Sequence, residues 1–314
     1  MDCRFVSGLF KLRVRPGDGF GIRESGERGP TGATAMTKRT LDEAWTTWLA
    51  ENLERQCDPG ELVSILLDNE FELDAIRESM GERFPADTDF FASAWPNYQA
   101  LAEPRLTRHA ADPKLRKVDT DRAQIYVLDD FATVAECDAM VDIISRNLRP
   151  STITLDRGDK YFRTSSTSDL SLLNDPTVAA MDEKIARTLG IRVQYSEGIQ
   201  AQRYDLGQEF KAHTDYFERG TAEYLEHASR TGNRTWTFMV YLNEGMEGGG
   251  TQFCNIDEEF SPKKGQAVIW NNLYPDGTPN PDTLHHGMPV SCGHKIVITK
   301  WFRERGSGPM FYDG

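Results

Sequence analysis

The stretch YDLGQEFKAHTD, residues 204–215, decides how we interpret the rest of this chain. It places His213 and Asp215 two positions apart, and side chains with that spacing on a strand project from the same face. One imidazole and one carboxylate at a strand end are two of the three ligands in a two-histidine, one-carboxylate iron centre. A His-x-Asp pair alone is frequent on solvated strand ends, so the pattern needs a second histidine from a distant strand.

The second part of the pattern lies in residues 282–301, which contain His285, His286 and Lys295. Lys295 begins the apolar run Lys-Ile-Val-Ile. A lysine buried there costs stability unless an anion pairs with it, and the carboxylate of a co-substrate is such an anion. The alternative is an exposed lysine at the start of the strand. Three protein ligands would leave positions open on iron for a co-substrate and oxygen.

Composition excludes several classes of function. The chain has 314 residues and a net charge of −13, which argues against general nucleic-acid binding through phosphates. Its five cysteines include no Cys-x-x-Cys pair, so no disulfide framework or zinc ribbon is predicted. No apolar run approaches the ~20 residues that cross a bilayer, and the basic N-terminus lacks the apolar core of a secretory signal. We therefore expect a cytoplasmic protein with reduced thiols and no membrane association.

The sequence pattern divides the chain into segments of different character. Thr40 and Glu43 fit a capping box at the start of the first of three short amphipathic helices. These helices form a small module that we interpret as a packing appendage or dimerisation surface, with docking of a protein substrate as the alternative. The expected segments are a disordered region (1–38), the helical module (39–83), a proline-containing linker (84–120), the main domain (121–306) and a tail (307–314).

The main domain begins with helices and continues as strands. Thr133 with Glu136, and Asp175 followed by Pro176, mark two helix starts. After Gly190 nearly every segment is strand or turn. We predict an α+β fold: a double-stranded β-helix, or jelly roll, with helices packed on one side. The expected strands are Ile125 to Leu128, Val193 to Tyr204, Thr235 to Leu242, Thr251 to Ile256, Ala267 to Trp270 and Lys295 to Phe302, and Ser151 to Leu155 is a β-branched run.

Several motifs in one order resemble the prolyl 4-hydroxylase-type family of Fe(II)- and 2-oxoglutarate-dependent dioxygenases. The resemblance runs from about Gln124 to Gly306. It rests on Tyr-Asp-Leu-Gly-Gln before His213, Arg-x-x-Thr-x-x-x-Tyr-Leu-Asn at 234–243, Gly-Gly-Gly-Thr at 248–251, Lys-Gly-Gln-Ala at 264–267, His285 to Val290, Gly-x-Lys at 293–295 and Lys-Trp at 300–301.

The resemblance implies a set of cofactors and the residues that hold them. It implies that the enzyme uses Fe(II), 2-oxoglutarate and O2, and it raises ascorbate as an additional cofactor. The distal iron histidine of the family lies four residues before a Pro-Val pair, which selects His285 over His286. The implied iron ligands are His213, Asp215 and His285. The implied anchors of the far 2-oxoglutarate carboxylate are Lys295, Tyr204 and Thr251.

The resemblance also implies which residues face the substrate. Arg234 falls on a position associated with substrate binding and activity, Trp301 on a cleft tryptophan, and Arg163 in an Arg-Thr-Ser motif at the cleft mouth. Two positions depart from the collagen-type pattern: Phe210 stands where tyrosine is common, and Arg303 stands where histidine is common. Both changes alter the hydrogen bonds that the pocket offers.

The departures leave the substrate open. A peptidyl proline is the first interpretation, and a peptide or protein substrate agrees with a docking role for the helical module. Hydroxylation of a free amino acid or small metabolite is the alternative, and Arg303 favours an anionic group. A further alternative is a non-catalytic jelly-roll binding module or a structural zinc protein. The charged insertion at 216–233 is expected to form a loop or lid beside the cleft.

Overall fold

The computed structural model describes residues 40–57, 59–69, 71–85, 96–108, 112–150, 164–219, 221–228 and 230–312. The chain divides into two compact units, Met1–Ala86 and Asp87–Gly314. The segment expected to be disordered, 1–38, lies outside the described residues. None of the helices in the described ranges has the length and apolar character needed to cross a membrane.

The helices in these ranges are α1 (Glu43–Glu54), α2 (Pro59–Asp68), α3 (Leu73–Met80), α4 (Tyr98–Ala102), α5 (Arg105–Arg108), α6 (Val134–Ser145), α7 (Pro176–Leu189) and α8 (Ala222–His227). The strands are β1 (Leu115–Lys117), β2 (Ile125–Leu128), β3 (Arg149–Pro150), β4 (Ser166–Asp169), β5 (Gln200–Tyr204), β6 (Phe210–His213), β7 (Arg234–Tyr241), β8 (Glu247–Gly248), β9 (Thr251–Phe253), β10 (Glu258–Phe260), β11 (Ala267–Asn271), β12 (His285–Gly287), β13 (Val290–Cys292) and β14 (Lys295–Arg303).

The first unit consists of α1, α2 and α3. The N-cap of α1 is Asp42, whose carboxylate accepts a hydrogen bond from Trp45 N. The expected capping box at Thr40 is therefore wrong by two residues, because an aspartate closer to the helix supplies the acceptor. An edge-to-face contact, with ring centroids 5.4 Å apart, joins Trp45 to Phe71. This contact ties α1 to the residue that precedes α3.

The second unit is built on two antiparallel sheets. Eight strands form the larger sheet in the order β1-β2-β11-β7-β14-β5-β4-β3, and four form the smaller in the order β10-β9-β12-β6. One core cluster contains residues from both sheets, among them Tyr241 of β7 and Phe253 of β9, so the sheets face each other. This is the predicted jelly roll, and its interior holds the site described below.

Alternation along β7 separates the two faces of the larger sheet. Trp236, Phe238 and Val240 belong to the cluster that packs against α6 and α7, whereas Met239 and Tyr241 belong to the cluster between the sheets. Period-two alternation gives each face its own set of side chains. The helices therefore cover the outer face of the larger sheet, and the inner face remains available for function.

Both predicted helix starts in this unit are confirmed. Thr133 and Glu136 form a complete capping box at α6. Asp175 caps α7, with Pro176 in its first turn. The helix ends at Gly190, whose φ of 96° is left-handed, and a Cβ at this position would lie 2.4 Å from Arg105 Cβ. Both the backbone conformation and the space therefore require glycine there.

Three segments differ from the expected organisation. Part of 84–120 is folded: β1 pairs with β2, and Leu101 and Leu106 are buried in the core. The tail is also packed, since Tyr312 Oη donates to Glu183 and Phe311 bridges to Ile191. Apolar and aromatic side chains pack both segments against the domain. The prolines of 84–120 and the short length of the tail had instead indicated exposed connections. The expected strand from 193 begins as a single 3-10 turn, and the β-branched run at 151–155 lies outside the described residues.

Candidate active site

Strand pairing in the smaller sheet brings the three expected metal ligands together. His213 ends β6 and lies directly opposite His285, which begins β12. Asp215 follows two residues after His213, and its Oδ1 lies 3.8 Å from His213 Nε2 and 4.0 Å from His285 Nε2. Of the residues that the structure describes, these three form a group whose ligand atoms all lie within 4.8 Å of one another. The cluster has the composition of a two-histidine, one-carboxylate centre.

The two histidine rings are held in the same way. His213 Nδ1 lies 2.8 Å from the carbonyl oxygen of Lys211, and His285 Nδ1 lies 2.9 Å from that of Thr283. A carbonyl only accepts, so each Nδ1 carries a proton, and in the neutral imidazole the lone pair is on Nε2. Both lone pairs belong to the nitrogens nearest Asp215. The donor set therefore fits a divalent metal without a change of tautomer or ring orientation.

Asp215 is buried and ionised. Burial opposes its ionisation, but the neighbouring His285, His213 and Arg234, with a hydrogen bond from Thr237, hold the pKa of the carboxyl below its usual range. A carboxylate ligand must be deprotonated to bind metal. Its surroundings therefore keep the ligand in its metal-binding form at neutral pH.

Adjacent His286 lies outside this cluster. Its Nε2 lies 2.8 Å from Glu209 Oε2, on the other side of β12 from the ligand atoms. Successive side chains on a strand point to opposite faces, so only one of the two histidines reaches the interior. The structure thus brings His285, not His286, to the other two ligand candidates.

Aromatic rings surround the histidines. Phe210 stacks on the His213 ring with centroids 3.6 Å apart and planes inclined by 21°. Trp270 meets the His285 ring edge-on at 4.9 Å, and Phe253 lies 5.7 Å from it. The position predicted to face substrate, Phe210, therefore forms part of the wall that holds a ligand ring. Such apolar walls limit solvent access to a metal and lower the local dielectric.

Lys295 is buried in the same cavity and has no anionic partner among the described residues. It is 2 % exposed, and its Nζ lies 4.3 Å from the centre of the Tyr204 ring, which is its cross-strand neighbour. Burial lowers the pKa of Lys295 to about 7, and no carboxylate in the described part of the chain offsets this. A buried, unpaired ammonium is the feature expected where an anionic ligand binds.

Thr251 completes this end of the cavity. Its Oγ1 lies 2.8 Å from the hydroxyl of Tyr241, which is also 3.0 Å from the carbonyl oxygen of Phe260. The hydroxyl groups are thus held in place before any ligand binds. The cavity is lined by His213, Asp215, His285, Tyr204, Thr251, Lys295, Phe210, Trp301, Gln202, Met239, Trp270, Gly287, Val297 and Thr299.

Arg234 forms an ion pair with Glu197. Its Nε and Nη2 donate to the two oxygens of Glu197 at 2.6 and 2.8 Å. Its guanidinium lies 4.0 Å from the ring centre of Trp301 and 4.9 Å from that of Phe217. Burial opposes the charge, but Glu197 and Asp215 keep the pKa of Arg234 raised. The sequence missed Glu197, which follows a single 3-10 turn and carries no periodic signal.

Trp301 lines the cavity as the sequence indicated. It is mostly buried, and its indole N–H has no hydrogen-bond partner among the described residues. Arg163, the other residue expected at the cleft mouth, lies outside the described residues.

Arg303 does not line this cavity, contrary to its expected place near the substrate. Its Nε donates to Thr231 Oγ1 at 2.8 Å, and its Nη2 donates to the same hydroxyl and to the carbonyl oxygen of His227. Burial lowers the pKa of Arg303 to about 10, against the attraction of nearby Glu197. Arginine reaches the backbone of the 216–233 insertion, which the shorter histidine expected here would not.

The 216–233 insertion is fastened at its base. Asn233 bonds both the N–H and the carbonyl of Phe217, at 2.8 and 2.9 Å. Glu304 accepts from Asn233 N and from Tyr98 Oη, and Arg305 N donates to the Thr231 carbonyl. The described part of the insertion is therefore anchored to the end of β14. The loop or lid expected for this segment stays a prediction.

Comparison with known proteins agrees with the site. The sequence model of the family described as the 2OG-Fe(II) oxygenase superfamily matches residues 199–303, which include the three ligand candidates and Lys295. Prolyl 4-hydroxylase 13 from Arabidopsis thaliana is 32% identical over 201 residues, 58% of this chain and 72% of that protein. The chain belongs to the prolyl 4-hydroxylase family of 2OG-Fe(II) oxygenases, whose members use Fe(II) and 2-oxoglutarate.

Other relatives match a smaller part of their own length. Prolyl 4-hydroxylase subunit alpha-1 from Bos taurus is 30% identical over 198 residues, 62% of this chain but 37% of that subunit. This chain thus spans little more than a third of the animal subunit. The solved viral collagen prolyl hydroxylase of Paramecium Bursaria Chlorella virus-1, in its 2OG complex, has a TM-score of 0.42 and 22% identity over 57% of this chain and 94% of its own.

Proposed function

We propose that this chain is an Fe(II)- and 2-oxoglutarate-dependent dioxygenase that hydroxylates a peptidyl proline. The observation that carries the proposal is the presence, in one cavity, of the His213, Asp215 and His285 group and of an uncompensated buried ammonium, Lys295. Neither feature alone defines the chemistry. A metal centre with open positions beside a receptor for a carboxylate is the combination that this reaction requires.

His213 Nε2, His285 Nε2 and Asp215 Oδ1 are the ligands that would hold the metal. Fe(II) bound there supplies the activation of O2, coupled to oxidative decarboxylation of 2-oxoglutarate. The protein contributes orientation: the Nδ1 hydrogen bonds fix the ring planes, and Phe210 and Trp270 exclude water. Three protein ligands leave the remaining positions to the co-substrate and oxygen.

Lys295 binds the far carboxylate of 2-oxoglutarate, and the hydroxyl groups of Tyr204 and Thr251 supply further donors. The Lys295 ammonium is already desolvated inside the cavity. Binding the 2-oxoglutarate dianion offsets the cost of that desolvation with a charge-assisted hydrogen bond. Lys295 and Tyr204 belong to the larger sheet, whereas Thr251 and the two histidines belong to the smaller sheet. Both walls of the jelly roll therefore take part in binding the co-substrate.

The cleft favours a neutral substrate group over a free amino acid. Among the described residues near the cavity mouth, Arg234 is neutralised by Glu197, and Arg303 is directed to Thr231. A free amino acid would bring a carboxylate that finds no uncommitted cation there. Peptidyl proline has an apolar ring that matches the aromatic surfaces of Phe210 and Trp301 in the cavity wall. The names of the relatives support the same substrate class.

Anaerobic titration of the apoprotein with Fe(II) and then 2-oxoglutarate tests the cofactor assignment. The metal-to-ligand charge-transfer absorption of the chelate is expected in the wild type and weaker at equal concentrations in Lys295→Ala. Metal binding without this absorption would contradict the 2-oxoglutarate assignment. Succinate formation is then compared for a proline-containing peptide and free L-proline. Faster turnover with the free amino acid would replace the peptide assignment by the small-molecule alternative.

A further inference from the structure

Asp215 uses its two carboxylate oxygens differently. Oδ1 is the atom that lies near both histidine Nε2 atoms, at 3.8 and 4.0 Å. Oδ2 accepts a hydrogen bond of 2.7 Å from the hydroxyl of Thr237. Thr237 is fully buried on β7 and is oriented toward the space between the sheets, like Met239 and Tyr241. One oxygen thus faces the metal position, and the other faces a protein donor.

Asn272 fixes the direction of that hydrogen bond. Its Nδ2 lies 2.8 Å from Thr237 Oγ1. An amide nitrogen can only donate and a carboxylate can only accept, so the single proton of Thr237 must be directed to Asp215. If the Asn272 amide were flipped, its Oδ1 would face Thr237 Oγ1 and compete with Asp215 for the single hydroxyl proton. Two backbone bonds hold Asn272: its N–H donates to the Thr235 carbonyl, and its own carbonyl accepts from Asn280.

We propose that Thr237 and Asn272 are positioning residues that hold Asp215 as a ligand through Oδ1 alone. The inference rests on the proposed function, because it requires a metal at this cluster. A carboxylate that rotates freely can bind through both oxygens and occupy one further coordination position. The Thr237 hydroxyl competes for Oδ2 and keeps that position open for the co-substrate or oxygen. Thr237 and Asn272 are both fully buried, so water cannot replace the hydrogen bonds between Asn272, Thr237 and Asp215.

The chain offers a matched pair of substitutions. Thr237→Val removes the hydroxyl and keeps the shape of the side chain. Thr235→Val makes the same change two residues earlier on β7, at a buried hydroxyl that has no hydrogen-bond partner in the described part of the chain. Thr237→Ser restores a hydroxyl at the position of interest. The three variants separate the hydrogen bond from the general effect of altering a threonine in this strand.

Anaerobic titration with Co(II) alone, followed by its visible absorption, measures the effect without catalytic turnover. We expect the Kd of Thr237→Val for Co(II) to rise about 10- to 100-fold, the range typical for loss of a residue that orients a metal ligand. The shape of the Co(II) band is expected to change with the coordination of Asp215. Thr235→Val should match the wild type within about twofold, and Thr237→Ser should recover most of the affinity.

Asn272→Ala supplies an independent test. We expect a smaller rise in Kd, because Thr237 keeps its hydroxyl but loses the contact that directs it. The double variant with Thr237→Val should bind Co(II) no more weakly than Thr237→Val alone, since Asn272 acts through that hydroxyl. If Thr237→Val does not fold, an unchanged Kd and spectrum in folded Asn272→Ala would overturn the proposal.

The outcomes distinguish this proposal from the proposed function. A wild-type protein that binds no Co(II) would remove the metal site, and the function would fail with it. A wild type that binds Co(II), together with a Thr237→Val variant of equal Kd and identical spectrum, would leave the function standing and overturn the positioning role.

Discussion

Lys295 and Tyr204 face each other across β14 and β5, with the Lys295 ammonium 4.3 Å from the centre of the Tyr204 ring. The aromatic face offsets part of the cost of burying the charge, but it does not replace an anion. The protein without its co-substrate therefore holds an electrostatic cost that ligand binding relieves. The buried ammonium is therefore expected to affect both the free energy of unfolding of the ligand-free protein and the pH dependence of 2-oxoglutarate binding.

Lys295→Met is expected to stabilise the ligand-free protein while removing 2-oxoglutarate binding. Replacing an uncompensated buried ammonium by an apolar side chain of similar length should raise the free energy of unfolding by about 1–3 kcal/mol. Chemical denaturation of the metal-free protein and calorimetric titration with 2-oxoglutarate measure the two effects.

Lys300→Met is the control for that variant. Lys300 is equally buried on the same strand, but its Nζ lies 2.6 Å from Asp182 Oδ1 and 2.9 Å from the Glu197 carbonyl. Its removal leaves a carboxylate without its cation, so the free energy of unfolding should fall by about 2–4 kcal/mol. Stabilisation by both substitutions would show that Lys295 is not distinguished by its lack of an anion.

The affinity for 2-oxoglutarate should decrease as pH rises above about 7. Burial lowers the pKa of Lys295 to about 7 in the free protein, so the charged fraction of the side chain falls progressively as the pH rises through that value. Binding the dianion requires the charged form, and each pH unit above 7 should reduce affinity up to about tenfold. Titrations from pH 6 to 9 in buffers of different ionisation enthalpy would detect the proton uptake. A Lys295→Arg variant that still binds should lack this slope, because its guanidinium stays charged.

The adjacent histidines should respond differently to substitution. His285→Ala removes a ligand of the proposed metal centre and should weaken Fe(II) or Co(II) binding by at least about 100-fold. His286→Ala removes only a contact to Glu209 and should leave the metal affinity nearly unchanged. Metal titration of both purified variants makes the comparison. Equal losses in the two variants would contradict the assignment of His285 as the inward ligand.

Arg303→Met should loosen the 216–233 insertion without affecting the metal centre. The variant loses the bonds to Thr231 and His227 that fasten the insertion to β14. Amide hydrogen exchange in this segment should accelerate about 10-fold, which corresponds to about 1.4 kcal/mol. Exchange in β6 serves as the internal reference. Unchanged exchange in the insertion would show that the remaining contacts of Asn233 and Glu304 fasten it alone.

The sequence predicted those parts of the site that depend on local rules. The two-residue spacing correctly grouped His213, the last residue of β6, with Asp215 just beyond the strand, and two capping signals located α6 and α7 correctly. Thr237 could also have been assigned to the inner face, since it alternates with Met239 and Tyr241. These features need only a few neighbouring residues, so a single sequence contains the information.

Contacts between distant segments could not be predicted in this way. Glu197 reaches Arg234 from a turn, and the partner of Arg303 is partly a backbone carbonyl, which no side-chain pattern indicates. Leu101 and Leu106 are buried although prolines surround them, because the core accepts two short helices there. In each case tertiary packing between distant segments determined the outcome, and no local pattern in a single sequence indicates it.

The opposed positions of His213 and His285 give the metal a mechanical role. An ion bound to both would cross-link two neighbouring strands and close a loop of about 70 residues, which reduces the entropy of partly opened states. The smaller sheet has only four strands, so this cross-link forms a large part of its connectivity. Iron supply would then set the lifetime of the folded enzyme as well as its turnover.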